Sequence, residues 1–119
     1  MMAVRGIRGA TVVPHDQREL VLAATRELLE AIVAKNDFAV DDIASVIFTV
    51  TPDITSEYPA RAARSLGWDH VALLGATEIA VPGGLSRCIR VLLHINTDKP
   101  AAALQHVYLG DAGKLRPDR

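Results

Sequence analysis

The residues that invite chemistry are ionic groups set in apolar, strand-like segments. Arg90 lies between Ile89 and Val91 in RCIRVLLHI (87–95), Arg8 between Ile7 and Gly9 in VRGIRGATVV (4–13), and Glu78 among Ala76, Thr77 and Ile79. A guanidinium buried in such surroundings demands an anionic partner, because an unpaired charge out of water is very costly. Two readings stand at this point. Arg90 and Glu78 neutralise each other as a core ion pair, or one or two of the arginines stay free for a ligand carboxylate. Ten of the 13 cations are Arg, whose planar fork of donors binds carboxylates bidentately and stays charged at any working pH. Small carboxylate ligands suit such a set.

A second cluster surrounds YPARAAR (58–64). Arg61 and Arg64, three apart, share one face of a helix, so that with Tyr58 they either clamp an anion or form an ordinary solvated surface. Tyr108 offers its hydroxyl to a ligand or packs. Trp68 reads as a core or interface anchor. The four histidines, His15, His70, His94 and His106, show no metal-ligand spacing, and Cys88 has no CxxC partner; it reads as a buried, inert thiol. GxSxG, GxGxxG and the P-loop are absent, and Pro82-Gly83-Gly84 marks only a loop. Metal, covalent and nucleotide chemistry lose support, and no cofactor is expected.

The elements that must position these groups are legible from periodicity. Residues 4–13 read as a strand able to bend at its glycines. Pro14-His15-Asp16 predicts a turn with Asp16 as a candidate N-cap, and Val21, Ala24, Leu28 and Ile32 predict an amphipathic helix over 17–35. Asp41 or Asp42 caps a short turn before a β-branched run, 45–50, that reads as a buried strand. Pro59 begins a short helix to about Leu66. Short strands are predicted at 70–74 and 77–81, the strongest strand at 87–95, and a final one at 105–109. The order predicts an α/β (α+β) fold, a mixed sheet with one long helix packed on it.

The chain has 119 residues, half of them apolar and 23% charged, which suits one globular domain over 1–119, with 111–119 expected as a flexible tail. At this size folding buries about two-thirds of the chain's surface, so an enclosed site is expected between subunits. Thirteen cations against 14 anions give net −1, which disfavours nucleic acid and anionic membranes as partners. No apolar run approaches the roughly 20 residues that span a bilayer, the MMAVRGIRG start lacks the apolar core of a signal peptide, and one cysteine excludes an internal disulfide. A cytoplasmic location is expected.

Taken in order, VRGIRGAT (4–11), FTVTPD (48–53), YPARAAR (58–64), PGGLSRCIRVLLHINTD (82–98), HVYL (106–109) and LRPD (115–118) resemble the AroH class of chorismate mutases over essentially the whole chain. Arg8, Glu78, Arg90 and Tyr108 all fall on the family's functional positions. The resemblance implies a trimeric pseudo-barrel with active sites at subunit interfaces, and the Claisen rearrangement of chorismate to prephenate on the way to phenylalanine and tyrosine. Arg90 would face the ether oxygen, with Arg8 at the side-chain carboxylate. Tyr108 would add a hydrogen bond, and Glu78 would accept from the ring hydroxyl. Tyr58, Arg61 and Arg64 would line the mouth from a neighbouring subunit, Leu74 and Gly75 would be further substrate-binding positions, and Leu115 and Arg116 would close over the substrate. Tyr58 stands where Phe is common, Arg61 where Lys is common, and Gly75 where some members carry a cysteine. A non-enzymatic carboxylate-binding regulatory trimer and an imine deaminase-like trimer compete with this reading. Glu78 beside Arg90 favours the mutase, because a passive anion binder gains nothing from an acid in its pocket.

Overall fold

The computed structural model of the chain describes residues 2–115. Its elements are β1 (Ala3–Val12), α1 (Arg18–Asn36), β2 (Ile43–Val50), α2 (Ala60–Ser65), β3 (Ala72–Thr77), β4 (Cys88–Thr97) and β5 (Val107–Tyr108), with 3-10 turns at Val40–Asp42, Ala101–Ala103 and Gly110–Leu115. The five strands form one sheet in the order β3-β2-β4-β1-β5. β4 runs antiparallel to both β1 and β2, whereas the β1–β5 and β2–β3 pairs are parallel. This is the mixed sheet with one long helix that the periodicity predicts.

Alternation along the strands decides which side is core. Ile7 of β1, Val46 and Phe48 of β2, and Ile89, Val91, Leu93 and Ile95 of β4 are buried and face α1, which answers with Val21, Leu28, Leu29 and Ile32. Removing one such side chain to alanine costs about 2–5 kcal/mol. The helix lies so close to the sheet that a Cβ on Gly9 would sit 2.7 Å from Ile32 Cδ1, 3.1 Å from Val91 Cγ2 and 3.2 Å from Leu28 Cδ1. α1 ends on Asp37 in the left-handed region (φ 49°). Just before it, the Asn36 amide donates to Ile32 O and Gln105 O and accepts from Gln105 N, which ties the helix end to the approach to β5.

The structure corrects several expectations. A single strand, β3, replaces the two predicted at 70–74 and 77–81, because only residues 72–77 pair with β2. Asp16 does not cap α1. Gln17 occupies that position without a side-chain bond, and the Asp16 carboxylate instead accepts from Thr55 N, Thr55 Oγ1 and Ser56 N. Hydrogen bonding from Ser56, chiefly its side chain, and from Thr55 holds the carboxyl below its ordinary pKa, and burial opposes this. Asp42 does serve its turn, accepting from Ala39 N. The 45–50 run is buried on one face only: Val46 and Phe48 are covered, and Ser45, Ile47 and Thr49 are partly open. Of the segment expected as a tail, 111–115 belongs to the Gly110–Leu115 turn, and Arg116 with the three residues after it lies outside the described residues.

Candidate active site

The sheet face opposite α1 gathers the predicted ionic residues. Arg8 and Arg90 sit on that face of β1 and β4, in the register Arg8↔Leu92 and Ala10↔Arg90, and Tyr108 of β5 lies beside Ala10. β2 adds Thr49 directly opposite Arg90. Glu78 follows β3, and its N–H donates to Val50 O at 2.8 Å, so the side chain folds back over the sheet. Arg8, Thr49, Glu78, Arg90, Leu92 and Tyr108 line one concavity of about 270 Å³.

Within it Arg90 and Glu78 form a bidentate ion pair. Arg90 Nε donates to Glu78 Oε2 at 2.7 Å and Nη2 donates to Oε1 at 2.9 Å. The pair is not a core pair. The side chains are 46% and 21% exposed, because the apolar neighbours Ile89 and Val91 belong to the other face of β4. The geometry therefore joins the two sequence readings: Arg90 is neutralised by Glu78 and still open to a ligand. A guanidinium has five N–H donors, and the pair with Glu78 leaves both Nη1 hydrogens and one on Nη2. Hydrogen bonding from Arg90 holds the Glu78 carboxyl below its ordinary pKa, the Thr49 hydroxyl adds to this, and burial opposes it. The same pair raises Arg90 in turn. Arg8 is held through its backbone, whose N–H donates to His106 Nδ1 at 2.9 Å.

The start of β4, and with it Arg90, is set by a polar knot. Arg87 adopts φ 49°, and its N–H donates to both oxygens of Asp53 at 3.0 and 2.9 Å. Thr51 Oγ1 donates to Asp53 Oδ1 and accepts from Cys88 N. Cys88 shares a face with Arg90 yet is only 2% exposed, packed with Ala10 and Ala112. Burial pushes its thiol up to about 11, in keeping with an inert thiol. Tyr108 both packs against this cluster and lines the cavity. Trp68 is buried in the main core.

Other predicted site residues lie elsewhere on the chain. Arg61 and Arg64 share the exposed face of α2 as their spacing requires, but Arg61 pairs with Glu57 at 3.0 Å, and Glu57 also holds Arg18 at 2.8 Å. Tyr58 is exposed and borders, with Gly75, a second concavity beside the β3 edge. Leu74 is 63% exposed on β3. Leu115 ends the last 3-10 turn, and Arg116 is outside the described residues. Among the described residues, no three His, Cys, Asp or Glu side chains gather at metal-binding range, and no helix is long and apolar enough to cross a membrane. Sequence reasoning missed Thr49 and Asp53. Thr49 had a signal: it stands four residues after Ser45 on the same face of a strand, and the three residues between them, Val46, Ile47 and Phe48, are apolar.

Comparison with known proteins identifies the family and the fold. The family model described as chorismate mutase type I matches residues 4–119. The chain is 52% identical over 116 residues to the chorismate mutase AroH of Thermus thermophilus, covering 97% of this chain and 95% of that one. It is 42% identical over 118 residues to the chorismate mutase AroH of Bacillus subtilis strain 168, covering 98% and 93%. The fold superposes on the solved structure of a chorismate mutase from Clostridium thermocellum with a TM-score of 0.90 and 47% identity, over 92% of this chain and 97% of the other. A family model spanning nearly the whole chain, two relatives at 52% and 42% identity and a matching fold lead to one conclusion: the chain belongs to the type I chorismate mutase family.

Proposed function

We infer that this chorismate mutase carries out its reaction in the concavity between Arg8, Glu78, Arg90 and Tyr108. The reaction is the rearrangement of chorismate to prephenate, an isomerisation in which the ether C–O bond breaks as a C–C bond forms within one molecule. No group is transferred to the protein or to water, so the enzyme's task is to hold a flexible dicarboxylate in its compact conformer and to stabilise charge separation. The observation that carries the reading is the Arg90–Glu78 pair, open to the cavity. As the ether bond breaks, negative charge grows on the enolpyruvyl oxygen and positive charge on the ring. A fixed cation and anion side by side form a dipole matched to that separation.

In this reading the Arg90 hydrogens left over from Glu78 face the ether oxygen, and Arg8 takes the side-chain carboxylate. Tyr108 adds its hydroxyl, and Glu78 accepts from the ring hydroxyl. The chain works as a homotrimer in which Tyr58, Arg61 and Arg64 reach the mouth of a neighbour's cavity. Support for assembly comes from large apolar side chains left uncovered on the single chain, Ile79 at 86% exposed together with Val4, Leu74 and Val81, surface that an interface would cover. Leu74 and Gly75 belong to the same rim. A cytoplasmic location completes the reading, supported by the single, buried, unpaired Cys88. The competing anion-binding reading is disfavoured by Glu78, whose charge opposes dicarboxylate binding. The test is to mix pure protein with chorismate, follow the loss of its absorbance and identify the product: prephenate formed catalytically supports the reading, and unchanged chorismate overturns it.

A further inference from the structure

We infer that Thr49 is a positioning residue for Glu78, its hydroxyl fixing the carboxylate so that a single oxygen, Oε1, is presented to the substrate. The inference rests on the reading of Glu78 as a substrate-facing group. It begins with the backbone. The parallel β2–β3 register, Thr49↔Ala76 and Val50↔Thr77, and the bond from Glu78 N to Val50 O pin the Glu78 main chain to β2 one residue beyond Thr49. The side chain then turns back across β2, where Thr49 Oγ1 donates to Oε2 at 2.5 Å.

The hydrogen-bond inventory of the carboxylate follows. Two oxygens offer about four lone-pair sites. Oε2 accepts from Thr49 Oγ1 and from Arg90 Nε, and Oε1 accepts from Arg90 Nη2. Three sites are filled, and the one left is on Oε1. An ionised carboxylate only accepts, so the Thr49 hydroxyl is oriented as the donor. β-Branching restricts its χ1 on the strand, so the donor is held in place before substrate arrives. Thr49 and Arg90 are cross-strand partners on one face, so the carboxylate is gripped from two strands at once. Without the hydroxyl, Oε2 keeps only its Arg90 bond, and the carboxylate is free to rotate and to share Arg90 differently.

The charged and titratable groups around Glu78 are Arg90 of β4, Arg8 of β1 and Tyr108 of β5, which line the same cavity, and Cys88, whose thiol feels both Glu78 and Asp53. β3 itself, ALLGAT, carries none. Thr49 is the one partner of the carboxylate that can be altered without changing any of these charges.

The experiment compares wild type, Thr49→Val, which keeps the shape and removes the donor, and Thr49→Ser, which keeps the donor. The readouts are kcat and KM on chorismate across pH, and the Glu78 carboxyl titration followed by ¹³C NMR. In Thr49→Val we expect kcat to fall about tenfold, within what one hydrogen bond to a charged group supplies, with KM less affected. The acid limb of kcat/KM and the Glu78 titration should both move to higher pH, and Thr49→Ser should restore all three. Thr49→Ala gives the same readouts should valine disturb the sheet. A donorless variant with wild-type kcat and an unmoved Glu78 titration overturns the inference. If wild type itself does not convert chorismate, the reading of the site fails separately, and the NMR titration still decides whether Thr49 governs Glu78.

Discussion

Arg90 and Glu78 stand 12 positions apart and meet fork to fork, Nε on Oε2 at 2.7 Å and Nη2 on Oε1 at 2.9 Å. They come from different parts of the strand order, Arg90 from the central β4 and Glu78 from the position just after the edge strand β3, with β2 between them. The pair spans β2 and fixes the guanidinium plane relative to the cavity. A bidentate contact does this better than a point charge, because two parallel bonds define an orientation as well as a distance. Orientation settled before the reaction is what makes electrostatic stabilisation effective.

The pair carries a pH signature. Arg90 holds the Glu78 carboxyl below its ordinary 4.5. A carboxyl whose folded pKa is depressed contributes stability that is fully present above its unfolded pKa and is lost as pH falls through the folded value. Denaturant titrations of wild type and Glu78→Gln should therefore differ most at neutral pH and converge as pH drops below about 4.5. A difference that grows in acid would show that the ionised pair does not stabilise the fold.

Activity should survive exhaustive chelation and thiol alkylation. The proposed chemistry routes no step through a metal, and the Cys88 thiol is buried with its pKa pushed up to about 11, so little thiolate exists at neutral pH. Assays before and after treatment with a chelator and with iodoacetamide check this. Loss of activity on chelation that returns with added metal would contradict it.

Gly9→Ala should destabilise the protein by about 1–3 kcal/mol, the usual result of overpacking a filled core. The new methyl would meet Ile32 Cδ1 at 2.7 Å, and the helix must shift or the side chain must leave its rotamer. Because Gly9 adjoins Arg8 and lines the cavity, turnover should fall as well. Thermal or denaturant unfolding measures the first effect, and an unchanged midpoint would show that α1 yields freely.

Sedimentation equilibrium should return three times the protomer mass at assay concentrations. A stable monomer with full activity would remove the interfacial site and leave Tyr58, Arg61 and Arg64 with no route to the chemistry.

Much of this was legible in the sequence, for physical reasons that also explain the errors. The α1 face was readable because Val21, Leu28 and Ile32 recur at helical spacing. The β4 strand was readable from its β-branched and aliphatic run. Arg90 looked buried because Ile89 and Val91 flank it, yet these point to α1 while Arg90 points away. Its neighbours on its own face, Cys88 and Leu92, are also apolar, and apolarity alone does not say whether anything covers them. β3 was split in two because its pairing with β2, not any local pattern in ALLGAT, sets its limits. Asp53 was missed because the bond that ties it to the start of β4 comes from the backbone N–H of Arg87, 34 residues away, and a main-chain donor leaves no mark in the sequence.

The central claim is that Arg90 stabilises charge that exists only near the transition state, and the kcat of a neutral Arg90 variant tests it most directly. Arg90→Gln should lower kcat at least about 10²–10³-fold, the usual effect of removing one preorganised oxyanion donor, with KM changing much less because Arg8 and the arginines of α2 still attract the ground-state dicarboxylate. Arg90→Lys, which keeps charge without the planar fork, should recover part of the rate. Near-normal kcat with a raised KM in Arg90→Gln would contradict the account and make Arg90 a substrate anchor.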